Sequence, residues 1–297
     1  VVGGTGESMC ADEPLPLPSI PPAARATATF TVKAAGVVAG LAVADAVFAA
    51  VDGGIKAEWR VRDGDAVAPG AVLGTASGPA PALLVAERVA LNFMQRMGGI
   101  ATAAAALAAA AAPAAALDTR KTAPGLRVPD KWAVVIGGGT PHRMGLFDMV
   151  MVKDNHVAAA GGLRAAAQRA RAFLLSRGLA SVPIELEART LDEVDEALAI
   201  IKEGGSGVTR LMLDNMTSTD PATGAVDASA LAAAMALVRQ SGVDVETEAS
   251  GGITAASAAA AAAAGVTHVS CGALTHSSPA LDISMLVELV PEGTEAA

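Results

Sequence analysis

Residues 210–252 read RLMLDNMTSTDPATGAVDASALAAAMALVRQSGVDVETEASGG. An apolar run, Arg210–Asp214, is followed by an alanine-rich helical stretch, Ser229–Ser241. A second strand-like run, Asp244–Glu248, then ends at Ser250-Gly251-Gly252. The same alternation extends to both sides: Ala115–Thr119, Met149–Lys153, Pro183–Glu187 and Thr267–Cys271 read as strands, and Gly162–Arg177, Leu191–Glu203 and Thr254–Ala264 as helices. Near-continuous apolar strands alternating with helices form a parallel sheet with the helices outside. Most of these strands end in a polar group or a glycine turn: Arg120-Lys121, Lys153, Glu187, Asp214, Ser250-Gly251-Gly252 and Gly272. Inside a strand such charges are buried at a cost, whereas at the C-terminal mouth of a β/α barrel they face a ligand. The pattern predicts a barrel in preference to an open doubly wound sheet.

Upstream the texture differs. Residues 11–24, with five prolines, read as an irregular lead-in. Short β-like pieces at Ala28–Val32, Ala57–Arg62 and Ala71–Thr75, with a helical stretch at Val43–Val51 and a turn at Arg62–Asp65, make a small α+β unit. A long helix follows, from about Pro81 to Ala109, with Leu84, Leu91, Met94 and Ala101 on one apolar stripe and Arg88, Asn92 and Gln95 on a polar one.

Composition narrows the function. The 297 residues suffice for one large or two medium domains. The mean hydropathy of +0.46 is mostly alanine, and no stretch of about 20 residues has the Leu, Ile, Val and Phe content of a bilayer span. A net charge of −9 argues against a nucleic-acid binder, so an anionic ligand must be drawn by a local basic cluster. Cys10 and Cys271 stand in no disulfide or zinc spacing, which points to a reducing compartment. No secretory signal pattern precedes the fold.

The chemistry concentrates at the strand ends. Thr119-Arg120-Lys121-Thr122, His142-Arg143 and Lys153-Asp154-Asn155-His156 gather cations in an acidic chain, as a ligand with several negative charges requires. The glycines after the last two strands let backbone N–H groups approach a phosphate. Glu187 and Asp214 are placed to bind Mg²⁺ through its waters or to accept bonds from ribose hydroxyls, and negative charge there also suits an oxocarbenium-like centre. Glu185 is assigned to the opposite side of its strand from Glu187 and set aside. The Gly3–Ser8 run lacks a P-loop lysine and a preceding strand. A Schiff-base aldolase using Lys153 is disfavoured by the neighbouring Arg120-Lys121 pair.

Longer motifs carry a resemblance. Glu87-Arg88-Val89-Ala90-Leu91-Asn92-Phe93-Met94-Gln95-Arg96, Thr119-Arg120-Lys121-Thr122-Ala123-Pro124-Gly125, Gly137-Gly138-Gly139, His142-Arg143-Met144-Gly145-Leu146-Phe147-Asp148, Lys153-Asp154-Asn155-His156, Leu213-Asp214-Asn215, Glu248-Ala249-Ser250-Gly251-Gly252 and Gly272-Ala273-Leu274-Thr275-His276 occur in order. Together they resemble the quinolinate phosphoribosyltransferases (carboxylating nicotinate-nucleotide pyrophosphorylases), in wording nearest the plant and algal branch, over about residues 24–284. The resemblance implies an α/β fold, with an N-terminal open α/β sandwich (1–97, with 277–297 returning to it) and an incomplete, seven-stranded-type α/β barrel (98–276). It implies transfer of ribosyl phosphate from phosphoribosyl pyrophosphate to quinolinate with loss of CO₂, giving nicotinate mononucleotide on the way to NAD. Mg²⁺ would accompany the diphosphate, with no organic cofactor, in a soluble enzyme of plastid or cytoplasm.

Carried over by motif, Arg88 would come from the neighbouring subunit of a homodimer. Arg120, Lys121, His142, Arg143 and Lys153 would hold carboxylates and phosphates, and Glu187 and Asp214 the ribose and Mg²⁺–diphosphate side. Ser250, Gly251, Gly252 and Gly272 would bind the 5′-phosphate, with His276 nearby. Two departures stand out: Gly98 replaces the usual Ser, and Val1–Ser19 stand where the family has an opening helical segment.

Overall fold

The computed structural model describes residues 20–291. The Gly3–Ser8 run, Cys10, most of the proline-rich lead-in and the atypical opening segment lie outside the described residues. The chain divides into two compact units: residues up to Gln95 with those from Leu281 onward, and Arg96–Ala280.

The first unit begins with β1 (Arg25–Val32), β2 (Gly36–Val37), α1 (Leu41–Val51), β3 (Lys56–Trp59), β4 (Ala66–Val67) and β5 (Val72–Pro79), and takes in the first half of α2 (Ala80–Ala111). Along β1, Ala26, Ala28, Phe30 and Val32 are buried while the threonines between them are half-buried, the period of two expected of a strand with one face on a core. Phe30 stands 6.1 Å from the Phe48 ring and 5.2 Å from Trp59. Leu73, Leu83, Leu91 and Met94 complete an interior of apolar side chains. Proline brackets α2. Pro81 sits in the first turn, where its missing N–H costs nothing, and Pro113 follows the end. The buried stripe runs through Leu83, Ala86, Ala90 and Met94, and Leu84 lies beside it, half-buried.

The second unit continues with β6 (Ala115–Leu117), α3 (Arg127–Ile136), β7 (Val150–Val152), α4 (Asp154–Ala160), α5 (Leu163–Ser176), β8 (Ile184–Ala188), α6 (Leu191–Lys202) and β9 (Val208–Asp214). A small hairpin, β10 (Ser218–Thr219) and β11 (Val226–Asp227), leads to α7 (Ser229–Ser241), β12 (Glu246–Ser250), α8 (Ala255–Ala264), β13 (His268–Ser270) and α9 (Ala273–His276). The last strand, β14 (Ile283–Leu289), pairs antiparallel with β1 and gives the first unit a sheet of order β14-β1-β5-β3.

All six barrel strands are parallel, in the order β6-β13-β12-β9-β8-β7. Beyond β6 a single parallel bridge, Leu117 to Thr140, stands where a seventh strand would be. Lys121 after β6 and Lys153 after β7 follow the two edge strands of this sheet, yet both line one cavity. The sheet therefore curls into an incomplete barrel. Strand β12 starts two residues later than the sequence implies and takes in Ser250.

Candidate active site

Two adjoining cavities, of about 240 and 540 Å³, open where the C-terminal ends of the barrel strands converge. Thr119, Lys121, Lys153, Ser250 and Ser270 line both. Arg120, His142 and Arg143 belong to the smaller cavity, and Asp214, Gly251, Gly252, Gly272 and His276 to the larger. The smaller is thus walled by cations and the larger by backbone-rich turns. A separate groove of about 270 Å³ between α5 and α6 offers no free charge, since Arg164 pairs with Glu203 and Arg171 donates to the carbonyls of Gly205 and Ala180.

The loop carrying Arg120 and Lys121 is held by its backbone. Thr275 Oγ1 donates to the Lys121 carbonyl (2.9 Å), and Arg127 donates to the Arg120 carbonyl (3.2 Å) and to Thr122 Oγ1 (3.0 Å). Asp130, fully buried, accepts two 2.7 Å bonds from Arg96 and one from the Ala123 N–H. Tying down the main chain leaves the two cationic side chains free for a ligand. Burial and the nearby Arg120 charge hold the Arg143 guanidinium below its ordinary value.

Under the smaller cavity lies a buried pair, Asp118 and Lys131, 2.5 Å apart. Asp118 also accepts the His142 N–H (2.8 Å), and Lys131 donates to the His142 carbonyl (3.0 Å), so the pair clamps the backbone of His142. Burial pushes the Asp118 carboxyl up, against the opposing pull of Lys131. The His142 ring accepts the Arg143 N–H at Nδ1 (2.6 Å) and turns Nε2 between two buried carboxylates, Glu185 and Glu248, each 3.2 Å away. Burial alone lowers the imidazole, but Glu185 and Glu248 outweigh it and push it up to about 9. Burial likewise raises Glu185. Since Nδ1 is already an acceptor, the proton that this cluster retains belongs on its Nε2–carboxyl side.

Glu185 corrects the sequence reading. Residues two apart on a strand share a face, so Glu185 and Glu187 both point into the barrel, and the exclusion of Glu185 inverted the rule. Glu248, to which the motif alone assigns no role, shares a strand face with Ser250 by the same period of two.

Glu187 is engaged by Lys153 Nζ (2.7 Å) and by the Asp154 N–H (3.3 Å). Burial first, and then the Glu187 charge, raise the Asp214 carboxyl, while Ser250, Lys153 and Lys121 pull the other way. Asn215, which the sequence reading left without a role, adopts a left-handed φ of 57°, donates to Asp214 (2.7 Å) and lines the larger cavity. Its side chain explains Gly251: at φ +92° a Cβ there would lie 2.1 Å from Asn215 Oδ1. A Cβ on Gly272 would meet Lys121 Cδ at 3.0 Å and the His276 ring at 3.2 Å. The two turns therefore admit a ligand to the backbone where a side chain would exclude it. His156 caps α4, its Nδ1 accepting the Lys153 N–H (2.9 Å), and stands outside both linings. Arg88 belongs to the first unit, on the exposed side of α2, 3.7 Å from Glu87.

Family models agree with this architecture. The model described as the quinolinate phosphoribosyl transferase C-terminal domain matches residues 100–286, and the corresponding N-terminal domain matches 9–98. The chain belongs to the quinolinate phosphoribosyltransferase family. Among its relatives, the chloroplastic nicotinate-nucleotide pyrophosphorylase [carboxylating] of Oryza sativa subsp. japonica is 48% identical over 286 residues, which is 96% of this chain and 74% of that protein. The mitochondrial quinolinate phosphoribosyltransferase [decarboxylating] 2 of Nicotiana glauca is 48% identical over 270 residues, covering 91% of this chain and 76% of that one. The crystal structure of NadC from Streptococcus pyogenes superposes with a TM-score of 0.80 at 33% identity, over 93% of this chain and 90% of that chain.

Proposed function

We propose that this chain carries out the decarboxylating quinolinate phosphoribosyltransferase reaction. Phosphoribosyl pyrophosphate and quinolinate yield nicotinate mononucleotide, CO₂ and diphosphate. The observation that carries the reading is the pair of cavities joined through Lys121 and Lys153. One has the cations that a dicarboxylate needs, and the other has the glycine turns that suit a phosphate.

Arg120 and Arg143 receive quinolinate, with His142 in the wall of the same cavity, and Ser250, Gly251, Gly252 and Gly272 receive the 5′-phosphate through backbone N–H groups, with His276 alongside. Glu187 and Asp214 face the ribose, where their charge stabilises the cationic anomeric carbon as diphosphate departs. Lys121 and Lys153, common to both cavities, neutralise charge on whichever group is leaving or attacking. The two acids also fit Mg²⁺ held through its water shell: burial and then the Glu187 charge raise Asp214, and a nearby cation relieves the second of these. When bound with the diphosphate, Mg²⁺ supplies charge neutralisation of the leaving group.

Arg88, exposed on α2, completes the site of a partner subunit in a homodimer. The chain works in the plastid stroma or the cytoplasm. Among the described residues no helix is long and apolar enough to cross a membrane, and the rice relative is named chloroplastic.

The test incubates the purified chain with quinolinate, phosphoribosyl pyrophosphate and Mg²⁺ and follows nicotinate mononucleotide and CO₂. Equal production of both, abolished by Lys121→Ala, supports the assignment; no product from a folded chain overturns it. Mixing inactive Arg88→Ala and Lys121→Ala chains tests the dimer, because shared sites regain activity only if Arg88 acts across subunits.

A further inference from the structure

The small cavity contains an anomaly. Its lining carries Arg120, Lys121, Arg143 and Lys153, yet it also includes an acid, Glu248. A carboxylate there repels the dicarboxylate that the cations attract. Glu248 is fully buried, and its Oε1 has no hydrogen-bond partner in the structure. Its Oε2 lies 3.2 Å from His142 Nε2 and 3.4 Å from Arg210. A group placed this way serves poorly as an anchor for an anion. It serves well as a carrier of a proton.

The reaction demands such a carrier. When the C2–carboxylate bond breaks, its electron pair stays on C2 of the ribosylated ring and CO₂ leaves, so C2 must take up a proton inside the cavity. We propose that Glu248 is the acid that protonates C2 after CO₂ loss, with His142 as the positioning residue that holds its carboxyl in place. The inference rests on the quinolinate reading above. In the step itself the O–H bond of Glu248 breaks, the C–H bond at C2 forms, and Glu248 is left as a carboxylate. Solvent returns the proton as the next substrate binds.

The surroundings fit this cycle. Burial pushes the Glu248 carboxyl up, but His142, Ser270 and Arg210 outweigh it and keep it low while the cavity is empty. His142, its Nδ1 accepting from the Arg143 N–H, keeps its own proton at Nε2 between Glu248 and Glu185 and so positions both carboxyls. A bound dianion adds negative charge beside Glu248 and raises its proton affinity, so the carboxyl takes up a proton from solvent as the substrate binds. Charged and polar groups surround Glu248 and His142: Glu185 from β8, Arg210 from β9, Ser270 from β13, Arg143 from the segment before β7, and the Asp118–Lys131 pair behind His142. With Arg210 and Arg143 so close, the same three ligands suit a proton better than a divalent cation.

The test separates the two halves of the reaction in E248Q by rapid quench, following diphosphate, nicotinate mononucleotide and the undecarboxylated quinolinate mononucleotide. Glutamine keeps the shape and removes the transferable proton. Diphosphate should form at close to the wild-type rate, nicotinate mononucleotide about 100-fold more slowly, and quinolinate mononucleotide should accumulate. E248D, which keeps an acid, should restore part of the second step, and it carries the test should E248Q not fold. An equal fall of both products in E248Q, or no fall in either, overturns the proposal. A wild-type chain that releases no diphosphate with quinolinate would fail the underlying reading instead.

Discussion

The two units differ in what their interiors hold besides apolar side chains. In the first, Phe30, Phe48, Leu73, Leu83 and Met94 meet around a sheet whose buried face is almost wholly apolar. In the second, the barrel encloses Asp118, Lys131, His142, Glu185 and Glu248, all nearly or wholly buried. Apolar burial stabilises by about 25 cal/mol per Å², whereas buried ion pairs roughly offset their own desolvation and stabilise little. The first interior is held by apolar burial alone; the second adds to an apolar core of its own, with Ile184, Leu186, Leu211 and Leu213 buried, a charged cluster that positions functional groups at a cost in stability.

The sharpest way to break this contrast is Asp118→Ala. It strands the Lys131 ammonium and the His142 N–H, and should cost about 3–5 kcal/mol in urea unfolding. Asp118→Leu with Lys131→Leu should recover most of that stability while activity stays lost. If the double variant were active, the pair would be structural only. In the first unit, Leu73→Ala should cost about 3 kcal/mol by the same measurement, through the cavity it leaves.

Gly251→Ala sets a Cβ against Asn215 at positive φ and should raise the KM for phosphoribosyl pyrophosphate about tenfold, or about 1.4 kcal/mol, with a much smaller change for quinolinate. The smallest effect belongs to Asp214→Asn. Asp214 is raised in the folded chain, so its ionised form opposes folding above the ordinary 3.8. Removing the charge should lift Tm slightly at pH 7, with the gain fading as pH falls towards that value and absent below it, while activity drops.

How much of this was legible in sequence follows from the kind of interaction involved. The parallel barrel was legible because strand and helix alternate along the chain, and the cationic strand ends because each lies in a contiguous motif. The return of residues 277–297 to the first unit was expected only through the family resemblance, and that they do so as strand β14 was not expected, since Ile283–Leu289 lacks a clean period of two. The pairing of Asp118 with Lys131, and of His142 with Glu185 and Glu248, depends on which strands become neighbours in space, which no local pattern encodes. Glu185 was within reach of sequence reasoning and was lost to an inverted alternation. Asn215 had a faint signal as a polar residue directly after a strand, but its fit against Gly251 needed coordinates.

The barrel's missing strand has a consequence for how densely its wall can be furnished. A regular strand shows a cavity only every second side chain. Where the seventh strand is reduced to one bridge at Thr140, the chain that follows is irregular, and His142 and Arg143, adjacent in sequence, both line the same space. Arg120 and Lys121, just past the end of β6, do likewise. By giving up regular backbone at one seam, the protein doubles the functional groups that a short length of chain delivers to its substrate.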